Sequence, residues 1–224
     1  MRNLKTLGIG VVVLTVFSIT PVNAQQDNNL HLTTGAGINE VLGELGKTFK
    51  STIAFNSGFE RSFDKNWYGQ LEFNFNSLRY DQRVKDEHSP YLFQNTNSSL
   101  FMIGLNWGRD FRFKSSPWFT STYVGSGYLN IGKPRVNLDE STNIVTQSVV
   151  RRSGIIGKIG GRVGIKTSSA LLQTIYFDGS YLNSSFKADG NTFRSLSFFI
   201  GMKMAMGKDS ETVKSQMKTI RRLR

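Results

Sequence analysis

The stretch Trp67-Tyr68-Gly69-Gln70-Leu71-Glu72-Phe73-Asn74-Phe75-Asn76 decides the fold. Its odd-numbered positions carry large apolar side chains or glycine, and most of its even-numbered positions carry amides or an acid. A period of two residues is that of a β-strand with two different faces, because successive side chains of a strand point to opposite sides. The segment therefore predicts a strand with one apolar face and one polar face.

The same alternation recurs in seven further segments on both sides of this one. They are residues 30–38, 49–63, 101–112, 119–131, 155–165, 171–181 and 195–204. In the segment 49–63 the apolar face begins with Phe49. In the segment 119–131 we assign the apolar face to Phe119, Tyr123, Leu129 and Ile131, although Trp118 and Val124 on the opposite face weaken this assignment. Eight strands are predicted in all, with their apolar faces on one side of the sheet.

The connections between these segments alternate in length. Short stretches rich in turn-forming residues follow the second, fourth and sixth strands, at 64–66, 114–117 and 167–169. Long polar stretches follow the third and fifth strands, at 83–96 and 134–147, and an intermediate one spans 39–48. Bacterial outer-membrane barrels have short periplasmic turns and long extracellular loops. We therefore predict an all-β, eight-stranded, antiparallel up-and-down transmembrane β-barrel in which the first and eighth strands pair.

The amino-terminal 24 residues are organised like a secretory signal peptide. Arg2 and Lys5 precede an apolar stretch at 7–19, and Ala24 follows a short segment that suits cleavage. That stretch is shorter than the roughly 20 residues that a membrane-spanning helix needs. We expect a signal peptide at 1–24, an outer-membrane β-barrel at 25–207 and a basic periplasmic tail at 208–224, with the mature chain in the outer membrane of a Gram-negative cell.

The composition narrows the classes of partner. The chain has no cysteine, so disulfides, thiol catalysis and cysteine-based metal sites are excluded. Its formal net charge is +12. A basic chain often binds nucleic acid, but an exported barrel does not meet the genome. We expect its counter-charges to be anionic lipids of the outer membrane, including lipopolysaccharide, and we expect no nucleic-acid partner.

A soluble secreted barrel of the lipocalin type is the alternative architecture, and it would turn the apolar face inward. The polar face argues against it, because that face carries many charged residues. They are Glu60, Glu72, Asp110, Asp178, Arg112, Lys158, Arg162 and Lys203. Lipid outside and a polar lumen inside suit this distribution. We expect these side chains to pair in a network that fills the lumen, because an unpaired buried charge is costly.

The second hairpin gives the chain a family resemblance. Residues 57–63 (Ser-Gly-Phe-Glu-Arg-Ser-Phe), a polar turn and residues 66–72 (Asn-Trp-Tyr-Gly-Gln-Leu-Glu) resemble the small outer-membrane barrels of the OmpA/OmpX type. They resemble even more the outer-membrane β-barrel domain common in Bacteroidetes. The likeness covers residues 28–206 and implies a porin-like fold inserted by the outer-membrane assembly machinery. Many such proteins end on an aromatic residue, whereas here Met206-Gly207 precedes the basic tail.

The sequence contains few residues that could bind a metal ion or catalyse a reaction. His31 and His88 are too few for a metal site, and no cofactor is expected. The residues Asp86-Glu87-His88-Ser89 hold the types that a lipid-modifying enzyme uses, but neighbours in sequence rarely converge into a triad. Our leading hypothesis is a non-enzymatic surface protein, with an extracellular ligand that the sequence does not name. A narrow channel for small or amphipathic solutes and a lipid-modifying barrel enzyme are the alternatives.

Overall fold

The computed structural model describes residues 30–63, 66–81, 92, 94–139, 141–169, 171–188 and 190–206. The predicted signal peptide at 1–24 and the basic tail at 208–224 lie outside these residues. So does the segment Asp86-Glu87-His88-Ser89.

Eight β-strands and one short helix make up the described chain. They are β1 (Leu30–Val41), α1 (Glu44–Thr48), β2 (Phe49–Ser62), β3 (Trp67–Tyr80), β4 (Thr96–Arg112), β5 (Trp118–Asp139), β6 (Ile144–Lys166), β7 (Leu172–Ala188) and β8 (Asn191–Ala205). Each strand pairs antiparallel with the next. Strand β1 pairs with β8, with Leu32 opposite Met204 and Ile38 opposite Phe198. The predicted closed, eight-stranded, up-and-down barrel is confirmed, and closure leaves the barrel wall itself without an open edge.

The barrel is apolar outside and polar or tightly packed inside. The outward side chains of Phe75, Ile159 and Ile200 are 52%, 58% and 68% exposed. The inward side chains of Glu60 and Glu72 are buried. A soluble barrel needs the reverse arrangement, so the lipocalin-type alternative does not describe this molecule. An apolar exterior around a closed sheet is what a barrel in lipid requires.

Strand β5 has the opposite orientation from the one predicted. Phe119, Tyr123, Leu129 and Ile131 are buried and face the interior. Trp118 and Val124, on the other face, are 54% and 58% exposed. The prediction was wrong because both faces of this strand carry apolar residues, so alternation alone does not say which face is turned inward.

A β-bulge in β2 changes the face of the first residues of that strand. The register between β2 and β3 shifts between Ser51 and Ala54. A bulge adds one residue to one strand and so reverses the parity on one side of it. Phe49, predicted on the apolar outer face, is consequently buried in the interior, while Ile53 and Phe55 beyond the bulge point outward and are exposed.

The segment 134–147 was predicted as a long loop, and it is a β-hairpin instead. Strands β5 and β6 have 22 and 23 residues, and they pair from Trp118 opposite Ile165 to Asp139 opposite Ile144. The paired register of β4 with β5 extends only as far as Ile131. Pro134 is compatible with this arrangement because proline is tolerated in a strand at the edge of a sheet.

Candidate functional site: the barrel interior and the projecting hairpin

Two layers of different chemistry fill the barrel. We call the end with the connections at 63–66, 113–117 and 167–171 the turn end, and the opposite end the loop end. The charged half, nearer the turn end, is formed by Glu60, Glu72, Lys158, Arg162, Asp178 and Lys203 and the side chains that they contact. The apolar half, beneath the loop end, contains Val41, Leu45, Phe49, Leu78, Tyr80, Leu100, Met102, Leu129, Ile131, Ile156, Leu182, Ala188 and Phe193.

Arg162 is the centre of the charged half. Its Nη1 donates to Glu60 Oε2 at 2.8 Å, and its Nε donates to Asp178 Oδ2 at 2.7 Å. Its Nη2 donates to Gln70 Oε1. The four strands β2, β3, β6 and β7 are thereby joined by one guanidinium, whose planar fork of donors suits several acceptors at once.

Aromatic rings surround this guanidinium. Its carbon lies 5.4, 5.2 and 5.1 Å from the ring centroids of Tyr68, Tyr123 and Tyr176. A cation over a tyrosine face is stabilised by the ring quadrupole, more so when both groups are removed from water. Tyr123 also donates its hydroxyl hydrogen to Asp178 Oδ1 at 2.9 Å. The inward tyrosines therefore fill space and stabilise the charges at the same time.

Glu72 is the second centre of the charged half. Lys158 Nζ lies 2.7 Å from its Oε2, and both side chains are almost fully buried. Three amide side chains complete its hydrogen bonds, because Asn56 and Asn74 donate to Oε1 and Asn106 donates to Oε2 at 2.7 Å. A buried carboxylate with a cation and three further donors is well compensated for its loss of hydration.

The eight charged residues singled out in the sequence do not all meet. Glu60, Arg162, Asp178 and Lys203 form one chain of ion pairs, in which Lys203 donates to Glu60, and Glu72 pairs separately with Lys158. Asp110 is half-buried and Arg112 is exposed at the turn end. Within the described residues, no ion pair joins either of them to the other six.

Several members of the charged half were not singled out from the sequence. Tyr68, Gln70 and Asn106 stand at inward positions of strands whose faces were correctly assigned. The alternation of the sequence therefore predicts that these side chains face the interior. They were not singled out because they carry no charge. Tyr123 was assigned to the wrong face.

The apolar half closes the interior beneath the loops. Helix α1 lies over it, with Leu45 only 2% exposed. The rings of Phe49 and Tyr80 lie 5.0 Å apart, and Phe186 and Phe193 are stacked at 5.8 Å. Between the two halves, a cavity of about 10 Å³ is bounded by residues such as Asn74, Leu100 and Lys158, and this is about the space that one water centre needs. The interior thus holds two packed layers in series.

The hairpin of β5 and β6 extends beyond the barrel at the loop end. A membrane-spanning strand needs about 9 to 11 residues, roughly half the length of these two strands. Its apolar residues Ile144, Val145 and Val149 are 56%, 60% and 57% exposed, and Arg151 and Arg152 are exposed beside them. The pairing of β6 with β7 begins only at Ile156. The loop end therefore presents a β-ribbon with apolar and basic side chains.

Hydrogen bonds join Asp139 and Ser141 at the tip of this hairpin. Asp139 Oδ1 accepts hydrogen bonds from the backbone N–H of Ser141 at 3.0 Å and from its hydroxyl at 2.6 Å. These bonds from Ser141 lower the pKa of the Asp139 carboxyl, because they favour its charged form. Asn143 has a φ of 51°, a left-handed conformation that asparagine tolerates well.

The structure also bears on other kinds of site. In the ranges that the structure describes, no three His, Asp or Glu side chains come together in a way that could hold a metal ion. No α-helix among the described residues is long and apolar enough to cross a membrane.

Comparison with known proteins gives structural but not sequence relatives. No family model matches the chain, and no curated protein matches it in sequence. The crystal structure of neisserial surface protein A matches with a TM-score of 0.56 at 11% identity, over 80% of this chain and 97% of that one.

Two further structures match with lower scores. They are the N-terminal β-barrel domain of Pseudomonas aeruginosa OprF and Ail, the attachment invasion locus protein of Yersinia pestis. The OprF domain is 10% identical with a TM-score of 0.41, over 80% of this chain and 99% of that one. Ail is 12% identical with a TM-score of 0.43, over 79% and 97%. Because both TM-scores are below 0.5, these two matches do not contribute to the assignment of the fold. The likeness to neisserial surface protein A and the closed sheet show that this chain has the fold of a small eight-stranded outer-membrane β-barrel.

Proposed function

We propose that this chain is a non-enzymatic outer-membrane protein whose filled barrel anchors it in lipid and whose loop-end hairpin contacts other molecules. The observation that carries the proposal is the pairing of a closed, apolar-walled barrel with a β-ribbon that extends past it. The predicted signal peptide at 1–24 and insertion by the outer-membrane assembly machinery belong to the same proposal.

The filled interior favours an anchor over a channel. An eight-stranded barrel is only wide enough for its own side chains. Here the lumen is occupied by ion pairs in one half and by packed apolar side chains in the other. We infer that the network of Glu60, Glu72, Asp178, Lys158, Arg162 and Lys203 blocks solute passage as well as holding the strands together.

The surface at the loop end suits anionic lipid. A pocket of about 400 Å³ lies between helix α1 and the ends of β7 and β8, and it is lined by two cations, Lys187 and Arg194, and one carboxylate, Glu44, beside the outward ring of Tyr181. Phosphate groups of lipopolysaccharide would meet the two cations there, and its acyl chains would lie against the apolar wall. We include this outer-leaflet lipid among the partners.

The orientation of the barrel can be tested by labelling, because the chain has no cysteine. Ser148→Cys in the hairpin and Ser168→Cys in a turn are matched variants at exposed positions. On intact cells, a membrane-impermeant maleimide should label position 148 at once and position 168 only after the outer membrane is permeabilised. Equal labelling of both, or the reverse order, would contradict the proposed orientation.

The role of the hairpin can be tested by shortening it. Replacing residues 136–147 by Asn-Gly, a two-residue hairpin turn, keeps the strands that cross the lipid. In a host with the gene deleted, the wild-type chain should restore the deletion phenotype and the shortened chain should not, although both reach the outer membrane in equal amount. Full complementation by the shortened chain would show that the hairpin does not carry the function.

A further inference from the structure

Within the described chain, strand β6 has a free edge where the hairpin leaves the barrel. Strand β7 pairs with β6 only from Ile156, opposite Ser184, and beyond that point Phe186 packs against the apolar half. Residues 144–153 of β6 are all exposed, whereas residues 131–135 of β5 are buried. The backbone of β6 is therefore open to a partner on the side away from β5.

Alternate residues of β6 direct their backbone groups toward this edge. In an antiparallel ladder, successive residues bond to the strand on one side and then to the strand on the other. The N–H of Ile155 donates to the Ser185 hydroxyl of β7 at 3.1 Å, so it points away from β5. Pro134 lies opposite Val149, and a pair that exchanges two hydrogen bonds cannot contain a proline. Because the pairing of β5 with β6 is continuous, the odd-numbered residues of 145–153 place their N–H and C=O groups on the free edge.

This edge lacks the devices that usually keep an edge strand from pairing. Proteins protect such edges with proline, lysine, a bulge or a covering loop. Residues 144–155 contain no proline or lysine, and their register with β5 is regular. The side chains of Ile144, Val145, Val149 and Val150 are exposed along it. An added strand would therefore gain main-chain hydrogen bonds and would bury apolar side chains on both faces.

The charge of the edge indicates the chemistry of its partner. Arg151 and Arg152 are exposed at its base, on opposite faces of the ribbon. No described carboxylate forms an ion pair with either of them, and residues 144–155 contain no acid. Opposite charges directly across two strands stabilise the pairing, and like charges oppose it. An acidic strand is therefore favoured over a second copy of this chain, which would bring the same arginines and a net charge of +12.

We propose that the free edge of β6 binds an extended segment of another protein as an added antiparallel strand, with two neighbouring acidic residues of that segment opposite Arg151 and Arg152. This inference rests on the proposed function, because it names the class of partner that the loop-end hairpin contacts. Antiparallel pairing is the slightly stronger of the two kinds. It requires the acids to precede the apolar residues in the partner's sequence, because the arginines follow Val149 and Val150 in β6.

A short peptide tests the edge directly. The probe is fluorescein-labelled Thr-Glu-Glu-Val-Val-Thr-Thr-Thr-Val-Val, which places its acids opposite the two arginines when it pairs with residues 144–153. A second peptide carries Lys-Lys in place of Glu-Glu. Binding to the full chain, refolded in zwitterionic detergent micelles, is measured by fluorescence polarisation. Gln147→Pro removes an N–H of the free edge and keeps the ladder with β5, and Gln147→Thr is its matched control.

The expected result depends on both the charge and the backbone of the edge. The glutamate peptide should bind about tenfold more tightly than the lysine peptide, because two like-charge pairs replace two opposite-charge pairs. Gln147→Pro should weaken binding about tenfold, because an N–H is lost and the ring meets the added strand, and Gln147→Thr should not. Arg151→Glu with Arg152→Glu should reverse the preference between the peptides. No binding of the glutamate peptide, equal binding of both peptides, or equal effects of the two substitutions at Gln147 would overturn the proposal.

The complementation assay separates this inference from the proposed function. If the chain with the shortened hairpin complements fully, the hairpin does not carry the function and the proposed function fails. If the shortened chain fails but Gln147→Pro complements as well as Gln147→Thr, the hairpin carries the function and its free edge is not the contact. A cross-linked dimer of the chain that is lost in Gln147→Pro would show that a second copy occupies the edge, and this would also overturn the acidic partner.

Discussion

The charged half and the apolar half of the interior close the same barrel by different physics. In the charged half, Arg162 and Glu72 hold partners from several strands with bonds of fixed direction. In the apolar half, residues such as Leu129 and Phe193 exclude water by volume alone. The first layer depends on which partners are present, and the second depends on how much space is filled. Substitutions should therefore act differently in the two halves.

Their positions explain the difference. The charged side chains of the charged half are almost fully buried, so each needs a partner. The apolar half lies under α1 and the loops. There the lumen approaches the aqueous exterior, and packed apolar side chains keep water from entering.

The largest effect is expected for Arg162→Met. Methionine has a similar length, but it leaves Asp178 with the Tyr123 hydroxyl and no cation among the described side chains. A buried charge without its partner costs about 3 to 5 kcal/mol. The free energy of unfolding of the refolded barrel, measured in urea, should fall by at least this amount. A loss below about 1 kcal/mol, the range of exposed ion pairs, would mean that the centre of the charged half is solvated.

Glu72→Ala should destabilise the barrel by about 3 to 5 kcal/mol, because Lys158 is left buried without its carboxylate. The double variant Glu72→Gln with Lys158→Met should recover most of this loss. It removes both charges and keeps an acceptor oxygen for Asn56 and Asn74, while the bond from Asn106 to the second carboxylate oxygen is lost. The control is Glu44→Ala in α1, whose ion pair with Lys47 is exposed, and it should change stability by less than about 1 kcal/mol. Equal losses in the single and double variants would refute the charge argument.

In the apolar half, Leu129→Ala should cost about 2 to 5 kcal/mol through lost burial and the cavity left behind. No second substitution that only balances charge can restore it, whereas Leu129→Met, which conserves volume, should cost less than about 1.5 kcal/mol. Urea unfolding of the three proteins measures this. Comparable losses for alanine and methionine would show that volume is not what closes this half.

The smallest effect is expected at the end of the ion-pair chain. Lys203→Met removes one of the two cations on Glu60, and Arg162 remains bonded to that carboxylate. The loss should be about 1 to 3 kcal/mol, the range for a hydrogen bond to a charged group, and smaller than for Arg162→Met in the same assay. A larger loss than Arg162→Met causes would place the centre of the network at Lys203.

The fold could be predicted from the sequence because a period of two is a local property of a strand. Glu72 and Phe73 take opposite faces whatever the rest of the chain does. The pattern fails where both faces are apolar. Met102 points inward beside the outward Phe101 and Ile103, so the apolar half has no contrast that alternation could detect. The same lack of contrast between the two faces is the reason why the inward face of β5 was predicted wrongly.

The candidate site could be predicted only in part, since parity gives the face of a residue and not its depth. Asp110 and Arg162 were both assigned to the interior, but Asp110 lies near the turn end and is half-buried. Bulges are equally hidden, as the position of Phe49 shows. The hairpin beyond Ile131 was interpreted as a loop because Pro134 and several polar residues interrupt the apolar pattern.

Conductance across a planar bilayer tests the central claim, that two independent layers close the barrel. The charged half is opened by Glu72→Ser with Lys158→Ser, which removes a charge pair together. The apolar half is opened by Met102→Ser with Leu129→Ser, two inward residues opposite each other in the register. The wild type and each double variant should conduct no ions above the bare bilayer, and the quadruple variant, shown to be folded by its circular dichroism, should conduct. Ion flow through the wild type or through either double variant, or none through the folded quadruple variant, would contradict the account.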